Sequence, residues 1–363
     1  MPLRDLSAHP EYVPGRGATA VAAERGLDPD TVLVLSSNEN ALGPSPSAIA
    51  AVERAAAHIH RYPKSSHQEL TELLAESWAV TPEQIWLANG GDGALDYLSR
   101  ALLDPGDRVL VPDPGFAYYE MSARFHHGEA STYPVKKSND FSITAESVLA
   151  CFDTERIIYL TSPHNPTGSI ISVGDIEQIA EETPDDTVVI VDEAYGAYAS
   201  VESAVSLVKQ RSDVAVLQSF SKIYGLAGIR LGYAVVPEQW KHGYSRVNTP
   251  FAVSELACRA GIAALDDSTH AQQSVEMANR GRQMLRDNIR AKSWPSEGNF
   301  VLIDVGDAKH VTEALFDQGI IVRDCTSFGL DSCIRVTVAP EDALARAIAA
   351  INSILDSMQR GDM

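Results

Sequence analysis

The sequence is short of positive charge. Lysine and arginine together number 29 among 363 residues, against 49 aspartates and glutamates, which gives a formal net charge of −20. The shortage falls on lysine, which occurs 8 times against 21 arginines. Such a surface repels nucleic acid and anionic membranes, so we expect neither as a partner. We interpret the acidity, which is spread along the chain, as suited to a salt-rich cytoplasm, where salt screens self-repulsion. An ordinary acidic enzyme is the alternative.

Long hydrophobic runs and paired cysteines are lacking as well. No uncharged apolar run reaches the ~18 residues of a transmembrane helix, and the opening stretch "MPLRDLSAHPEYVPGRG" is not typical of a signal peptide. A cytoplasmic location is therefore expected. The four cysteines include no Cys-x-x-Cys pair, which favours reduced thiols over disulfides or a zinc site. The histidine spacings also give no reason to expect a metal.

Short β-branched runs alternate with helical patterns along the first two thirds of the chain. This alternation predicts an α/β fold with a mainly parallel central sheet and helices on both faces. The predicted strands are 84–88, 107–112, 156–161, 187–192, 214–219 and 230–236. The predicted helices between them are 93–103, 116–125, 173–182 and 201–211.

Three regions are predicted from the same pattern. Residues 1–35 are expected to form an N-terminal arm that packs against the small domain or a partner subunit. Residues 36–245 are expected to form the large domain. Residues 246–363 would form a long connecting helix, at about 252–292, and a small α+β domain.

Two of the predicted strands end on polar groups. "TVVIVD" ends on Asp192, where burying a carboxylate is costly unless a cation or donor meets it. An ordinary helix N-cap is the alternative. Tyr195 reaches the same space from the following turn. In "TSPHNPTG", two prolines and a glycine hold Asn165 at the carboxyl end of the preceding strand, although a plain turn would look the same.

Two further strand ends suggest an anion site and a reactive amine. "ANGGDGALDYL" places glycines between a strand and a helix, where exposed N–H groups bind an anion. The spacing matches neither the dinucleotide fingerprint nor a P-loop, which favours a single phosphate. Lys222 follows Ser219 and Ser221, and a partly desolvated lysine there can form a Schiff base, with the serines and Arg230 as phosphate donors. A surface lysine beside a glycine-rich turn is the alternative.

One cofactor explains all four strand ends. Pyridoxal phosphate needs a lysine for its aldehyde, an anion for its pyridinium nitrogen and donors for its phosphate. The motifs "SFSKIYGLAGIRLGY", "PHNPTG" and "DEAY" resemble those of class I/II pyridoxal-phosphate aminotransferases of fold type I. Closer resemblance, to the histidinol-phosphate aminotransferase branch, is seen in "SSNENALGPSP", "HRYPKSSHQEL", "GIIVRD" and "CIRVTV".

The resemblance implies a role for each candidate residue. Lys222 would hold the internal aldimine and then shuttle a proton between Cα and the cofactor C4′. Asp192 would keep the pyridine nitrogen protonated. Tyr195 and Asn165 would hydrogen-bond the phenolate oxygen of the ring, and Phe116 would stack on it. The implied phosphate ligands are Gly91, Asp92, Ser219, Ser221 and Arg230.

The resemblance also implies contacts from a partner subunit and with the substrate. Tyr62, in "HRYPK", would reach the cofactor from the second subunit, which implies a homodimer with shared active sites. Arg335 would clamp a substrate carboxylate, and Arg323 would provide a second anion site. Tyr12 and Asn165 would join them. A surface ion pair is the alternative for Arg323.

The implied reaction is transamination of L-histidinol phosphate with 2-oxoglutarate, giving imidazole acetol phosphate and glutamate, in histidine biosynthesis. Two arginines suit both the phosphate of one substrate and the second carboxylate of the other. An aromatic amino acid aminotransferase is the nearest alternative, but an aromatic side chain needs no second anion site. A threonine-phosphate decarboxylase would share the scaffold, the lysine and the arginines.

Overall fold

The computed structural model describes residues 9, 15–64 and 67–360. Within these residues the chain forms twelve strands, several of them short β-branched runs. They are β1 (Leu33–Leu35), β2 (Ile85–Ala88), β3 (Arg108–Asp113), β4 (Glu129–Pro134), β5 (Ile157–Thr161), β6 (Val188–Asp192), β7 (Val214–Ser219), β8 (Gly232–Val235), β9 (Lys292–Ser293), β10 (Phe300–Asp304), β11 (Ile320–Asp324) and β12 (Cys333–Thr337).

The same part of the chain forms thirteen α-helices. Several begin at a serine, threonine or aspartate whose side chain caps the first turn, such as Ser45, Ser172 and Ser254. They are α1 (Ala18–Arg25), α2 (Pro46–Ala56), α3 (Gln68–Trp78), α4 (Gly90–Leu102), α5 (Tyr118–Phe125), α6 (Ala145–Leu149), α7 (Val173–Glu182), α8 (Val205–Val208), α9 (Tyr244–Val247), α10 (Glu255–Asp266), α11 (Ser268–Asn288), α12 (Ala308–Phe316) and α13 (Glu341–Arg360).

The larger sheet has seven strands in the order β2-β8-β7-β6-β5-β3-β4. Five neighbouring strands of this sheet, β7, β6, β5, β3 and β4, run parallel to one another, while β8 is antiparallel to both of its neighbours. Alternate residues enter two apolar clusters on opposite faces: Ile158 and Leu160 join one, and Ile157 and Tyr159 the other. Burial on both faces explains why the central strands β5, β6 and β7 are mostly apolar. The predicted α/β fold is confirmed.

The smaller sheet has five strands in the order β1-β11-β12-β10-β9. β11, β12, β10 and β9 are antiparallel to their neighbours, and β1 adds parallel to β11 at the edge, with Leu33 opposite Ile320. One apolar cluster joins this sheet to α11, α12 and α13. The N-terminal strand thus comes from the segment that the sequence predicts as an arm.

Some predicted elements differ from those observed. The helix expected over 252–292 is two helices, because the chain breaks at Asp267, whose side chain accepts from the His270 N–H at 3.1 Å and caps α11. The helix expected over 201–211 is only Val205–Val208. β4, α2 and α3 were not predicted. Within the described residues, no helix is long and apolar enough to cross a bilayer.

Candidate active site

A cavity of about 520 Å³ lies at the carboxyl ends of the parallel strands. Neighbouring parallel strands end at the same edge of a sheet, so their following residues converge there; Thr161 at the end of β5 pairs with Asp192 at the end of β6. The cavity is lined by twelve of the fourteen predicted site residues. These are Lys222, Asp192, Tyr195, Gly91, Asp92, Phe116, Asn165, Ser219, Ser221, Arg230, Arg323 and Arg335.

Asp192 presents a buried carboxylate to the cavity. Its Oδ2 accepts from the Tyr119 hydroxyl at 2.7 Å and its Oδ1 from the Ala194 N–H at 2.9 Å. The same Tyr119 hydroxyl lies 2.9 Å from Thr161 Oγ1. Burial raises the pKa of Asp192, because the ionised form loses its hydration, although the bond from Tyr119 opposes the rise. A cation beside this carboxylate would stabilise its charged form.

Lys222 extends its amine into the same space. Its Nζ donates to the Ser37 carbonyl at 3.1 Å and lies 5.7 Å from the centre of the Tyr195 ring. The Tyr195 hydroxyl accepts from Asn38 Nδ2 at 3.0 Å, so its own proton is available to a cavity acceptor. The amine therefore stands between a phenol and a backbone carbonyl, on the loop after β7.

The glycine loop and the lysine loop form an anion site together. α4 begins at Gly90, so the N–H groups of Gly91 and Asp92 lie in its first turn, where they lack helical acceptors. Arg230 Nη2 donates to Asp92 Oδ2 at 3.0 Å. A Cβ on Gly90 would lie 2.6 Å from that nitrogen, and its φ is +81°, so only glycine leaves room for the guanidinium.

Two serines shortly before Lys222, Ser219 and Ser221, complete the anion site. Ser219 Oγ accepts from the Ser221 N–H at 3.1 Å, so the Ser219 hydroxyl proton is left for another acceptor. Both serines line the cavity together with Arg230. Two hydroxyls, helix N–H groups and a guanidinium match the donors that a phosphate takes.

His164 joins the turn that carries Asn165 to the turn that carries Phe116. Its Nε2 lies 3.0 Å from the Pro114 carbonyl and therefore donates, because a carbonyl only accepts. Its Nδ1 then accepts from the Thr167 hydroxyl at 2.8 Å. The imidazole is fully buried, and burial lowers its pKa to about 4. The histidine is consequently neutral and holds one tautomer.

Two arginines stand directly opposite each other on antiparallel strands. Arg323 of β11 pairs with Arg335 of β12, so both side chains leave the same face and line the cavity. Arg335 is buried and donates to Asn165 Oδ1 and to the Ser36 carbonyl. Arg323 donates to Ser327 Oγ at 3.0 Å and lies over the Phe328 ring. Like charges opposite each other are unfavourable, which an anion between them would offset.

Two predicted residues are not brought to this cavity. Tyr62 is 83% exposed and outside it, as expected for a residue that would act in another subunit. Tyr12 lies outside the described residues. Conversely, sequence reasoning assigned no role to Tyr119 or Asn38. The motifs "PDPGFAYY" and "SSNEN" contain them, but their hydrogen bonds to Asp192 and Tyr195 span 73 and 157 residues.

The residues of the cavity fit pyridoxal phosphate group by group. The donors around α4 and Arg230 suit a phosphate dianion, and the buried Asp192 suits the cationic ring nitrogen. Phe116 lines the cavity and meets Tyr119 edge to face at 5.6 Å, which places an aromatic ring where the cofactor ring would stack. The Lys222 amine is the group that an aldehyde would need.

Comparison with known proteins identifies the family of this chain. Residues 30–351 match the family described as aminotransferase class I and II. The histidinol-phosphate aminotransferase of Haloarcula marismortui is 54% identical over 356 residues, 98% of this chain and 99% of its own. That of Haloferax volcanii is 54% identical over 355 residues, 98% of each chain.

A solved structure extends the likeness to three dimensions. The histidinol-phosphate aminotransferase of Sinorhizobium meliloti, in complex with pyridoxal-5′-phosphate, has a TM-score of 0.86 and 26% identity, covering 95% of this chain and 96% of its own. The family that the motifs predicted is therefore confirmed. This chain belongs to the class I and II aminotransferases.

Proposed function

We propose that this chain is a pyridoxal-phosphate-dependent histidinol-phosphate aminotransferase. It transfers the amino group of L-histidinol phosphate to 2-oxoglutarate, giving imidazole acetol phosphate and glutamate. The two relatives that cover nearly the whole chain carry this activity in their names. The reaction belongs to histidine biosynthesis, and its place is the cytoplasm.

The paired arginines carry the substrate assignment. Arg323 and Arg335 stand opposite each other in the wall that also contains Lys222. Histidinol phosphate brings a phosphate but no carboxylate, whereas glutamate brings two carboxylates. A pair of guanidinium groups at one mouth binds either molecule through charge-assisted hydrogen bonds. An aromatic amino acid carries only one anionic group, whereas histidinol phosphate carries a dianionic phosphate and glutamate carries two carboxylates.

The residues of the chain divide the chemical work. Bound pyridoxal phosphate supplies an electron sink for the charge that develops at the substrate Cα. Lys222 Nζ takes the proton from Cα and returns it when the second substrate is processed. Asp192, oriented by Tyr119 and the Ala194 N–H, holds the ring nitrogen in its protonated form. Tyr195 and Asn165 hydrogen-bond the ring oxygen, and Asn165 is itself held by Arg335.

We further propose that the enzyme acts as a homodimer with shared active sites. Tyr62 lies on the surface, outside the cavity of its own chain, and a second subunit would give its hydroxyl a phosphate to bind. The exposed hydrophobic side chains between residues 42 and 62 support such an interface.

A half-reaction tests the substrate assignment. The cofactor-loaded protein, in concentrated potassium chloride, is mixed with histidinol phosphate, phenylalanine or threonine phosphate in turn, without a keto acid. The visible spectrum of the cofactor is followed and carbon dioxide is collected. Rapid loss of the visible band with histidinol phosphate, and slow loss with the others, is expected.

The other outcomes identify the other functions. Rapid loss with phenylalanine but not histidinol phosphate would make the protein an aromatic aminotransferase. Carbon dioxide from threonine phosphate would make it a decarboxylase. Lys222→Ala serves as the matched control, because it removes the amine and leaves the rest of the cavity unchanged.

A further inference from the structure

Tyr62 is one half of an exposed aromatic pair. Its ring stacks on that of Phe251 with centroids 4.8 Å apart and planes 25° from parallel. Tyr62 is 83% exposed and Phe251 is 47% exposed, although both are large apolar rings. Within the described residues the Tyr62 hydroxyl makes no hydrogen bond. The pair thus fixes a ring whose hydroxyl has no hydrogen-bond partner among residues 15–64 and 67–360.

The backbone at Phe251 is held in an unfavourable conformation to make this stack. Its φ is +57°, in the left-handed region that bulky residues avoid. The flanking chain is anchored on both sides: the Thr249 N–H donates to the Tyr97 hydroxyl at 3.2 Å, and Val253 is buried. The kink between these anchors turns the ring outward to Tyr62 instead of into the core.

Further exposed apolar side chains come before Tyr62 in the chain, in a stretch that passes beside the lysine loop. Leu42, Ile49 and Ile59 are also exposed and precede Tyr62 in the same stretch of chain. The Gly43 carbonyl lies against Gly225, where a Cβ would come within 2.3 Å of it, and the Gly225 N–H bonds to the Lys222 carbonyl. A second copy docked on this surface would therefore come close to the loop that holds Lys222.

We propose that Phe251 is a positioning residue, which holds Tyr62 in the direction of the active site of a second copy of this chain. The inference rests on the proposed homodimer and on the role of Tyr62 in it. Stacking restricts the rotation of the tyrosine ring before the partner arrives, so less ordering is needed when the hydroxyl meets the phosphate. Phe251 itself does not line the cavity of its own chain.

Heterodimers of defined composition test this inference. Two chains with different affinity tags are co-expressed, and the mixed dimer is isolated on both tags in succession. Lys222→Ala is placed in one chain, and Phe251→Ala or Phe251→Leu in the other. If Phe251 acts through Tyr62 on the partner, one site combines an intact Lys222 with a Tyr62 that is supported by Phe251. The other site lacks Lys222, and the Tyr62 that reaches it has lost its Phe251.

Two quantities are measured, the transamination rate and the visible band retained by the holoenzyme after dilution. We expect the Phe251→Ala and Phe251→Leu homodimers to lose about three- to tenfold in rate and cofactor retention, and Phe251→Tyr, which keeps the ring, to match the wild type. The mixed dimer should recover about half of the wild-type rate, because one of its two sites is complete.

The outcomes separate the inference from the proposal beneath it. The inference is overturned if the Phe251→Ala and Phe251→Leu homodimers match the wild type in rate and cofactor retention. It is also overturned if these homodimers are impaired but their mixed dimers with Lys222→Ala chains do not recover activity. The mixed dimer of Tyr62→Phe and Lys222→Ala chains is the reference. If this dimer recovers activity and the mixed dimers with Phe251 variants do not, only the inference about Phe251 fails. If that reference shows no recovery, or no mixed dimer is obtained, the shared active site itself is wrong, and the inference with it.

Discussion

Glu193, directly after Asp192, should make stability depend on pH. It is 5% exposed, and its carboxylate accepts from Ser203 Oγ at 2.6 Å, the Ala204 N–H at 2.7 Å and Gln218 Nε2 at 2.8 Å. Burial nevertheless raises its pKa from 4.5 to about 7. The folded protein therefore holds this proton more tightly than the unfolded chain, and the associated stability is present below pH 4.5 and lost as the pH rises through 7.

The size of the effect follows from that difference in pKa. At about 1.4 kcal/mol per unit of pKa difference, the shift corresponds to about 3 kcal/mol in total, and most of it, about 2–3 kcal/mol, falls between pH 5 and pH 8. Glu193→Gln removes the titration while keeping the size of the side chain. The free energy of unfolding of the wild type, measured relative to this variant, should fall by about that amount over this pH range.

The assay is urea unfolding of both proteins at pH 5, 6, 7 and 8 in constant potassium chloride. Glu155→Gln is the matched control, because Glu155 is also a carboxylate with little solvent exposure. Burial alone would raise the pKa of Glu155, but the hydrogen bonds from Ser131 Oγ and the Asp153 N–H have the larger combined effect. The pKa of Glu155 therefore lies below its ordinary value. The difference in the free energy of unfolding between the wild type and Glu155→Gln should stay constant from pH 6 to 8. A level difference for Glu193→Gln as well would refute the reasoning.

Three further predictions concern the frame of the site and the charged surface. His164→Ala should lower the free energy of unfolding by about 2–4 kcal/mol at pH 8, because two buried hydrogen bonds and the packing of the imidazole are lost. The penalty should shrink as the pH falls from 6.5 towards 4, because the histidine of the unfolded wild type then takes up a proton while the buried ring of the folded protein stays neutral. Urea unfolding of both proteins measures it, and an unchanged penalty at pH 5 would contradict it. Tyr119→Phe removes the O–H donor to Asp192, so it should raise the pKa of Asp192 further and lower kcat about tenfold with little change in KM. Steady-state rates at saturating substrate measure this effect. A kcat equal to that of the wild type would show that the hydrogen bond is not needed. With a net charge of −20, the Tm should fall on transfer from about 2 M to about 0.1 M potassium chloride, which thermal unfolding at both salt concentrations records; a constant Tm would exclude adaptation to salt.

The part of the site that follows from strand order was predictable. Lys222, Asp192 and Asn165 each come directly after an apolar run, and adjacent parallel strands bring such positions together regardless of the distance along the chain. The fold class was predictable for the same reason, because strands buried on both faces read as continuous apolar runs. β4 was missed since "EASTYP" lies at the sheet edge and is largely polar.

The part that depends on packing was not predictable. Tyr119 donates to Asp192 and Asn38 to Tyr195, and neither pair is related by a helical or strand period. The register that sets Arg323 opposite Arg335 depends on how two strands of the small sheet align, which the motifs "GIIVRD" and "CIRVTV" do not state. Glu193 looked like part of the "DEAY" motif, and only the three-dimensional contacts reveal its burial.

The direction of Phe251 also lay beyond sequence reasoning. A phenylalanine after Thr-Pro reads as a core residue or a turn, and its left-handed φ appears only in the folded chain. The pairing of its ring with Tyr62 joins positions that are 189 residues apart, since 251 − 62 = 189. Residues that act between subunits are in general the hardest to place, because their partner is absent from the pattern of a single chain.

One measurement tests the central claim most directly, namely that Arg323 recognises the phosphate of the substrate. The ratio of kcat/KM for histidinol phosphate to that for unphosphorylated histidinol is determined for the wild type and for Arg323→Gln. Arg290→Gln, which removes an exposed arginine paired with Asp356 outside the cavity, is the control. We predict that Arg323→Gln lowers the ratio about 10- to 100-fold, the value of a charge-assisted bond, and that Arg290→Gln leaves it unchanged. An unchanged ratio in Arg323→Gln would contradict the account.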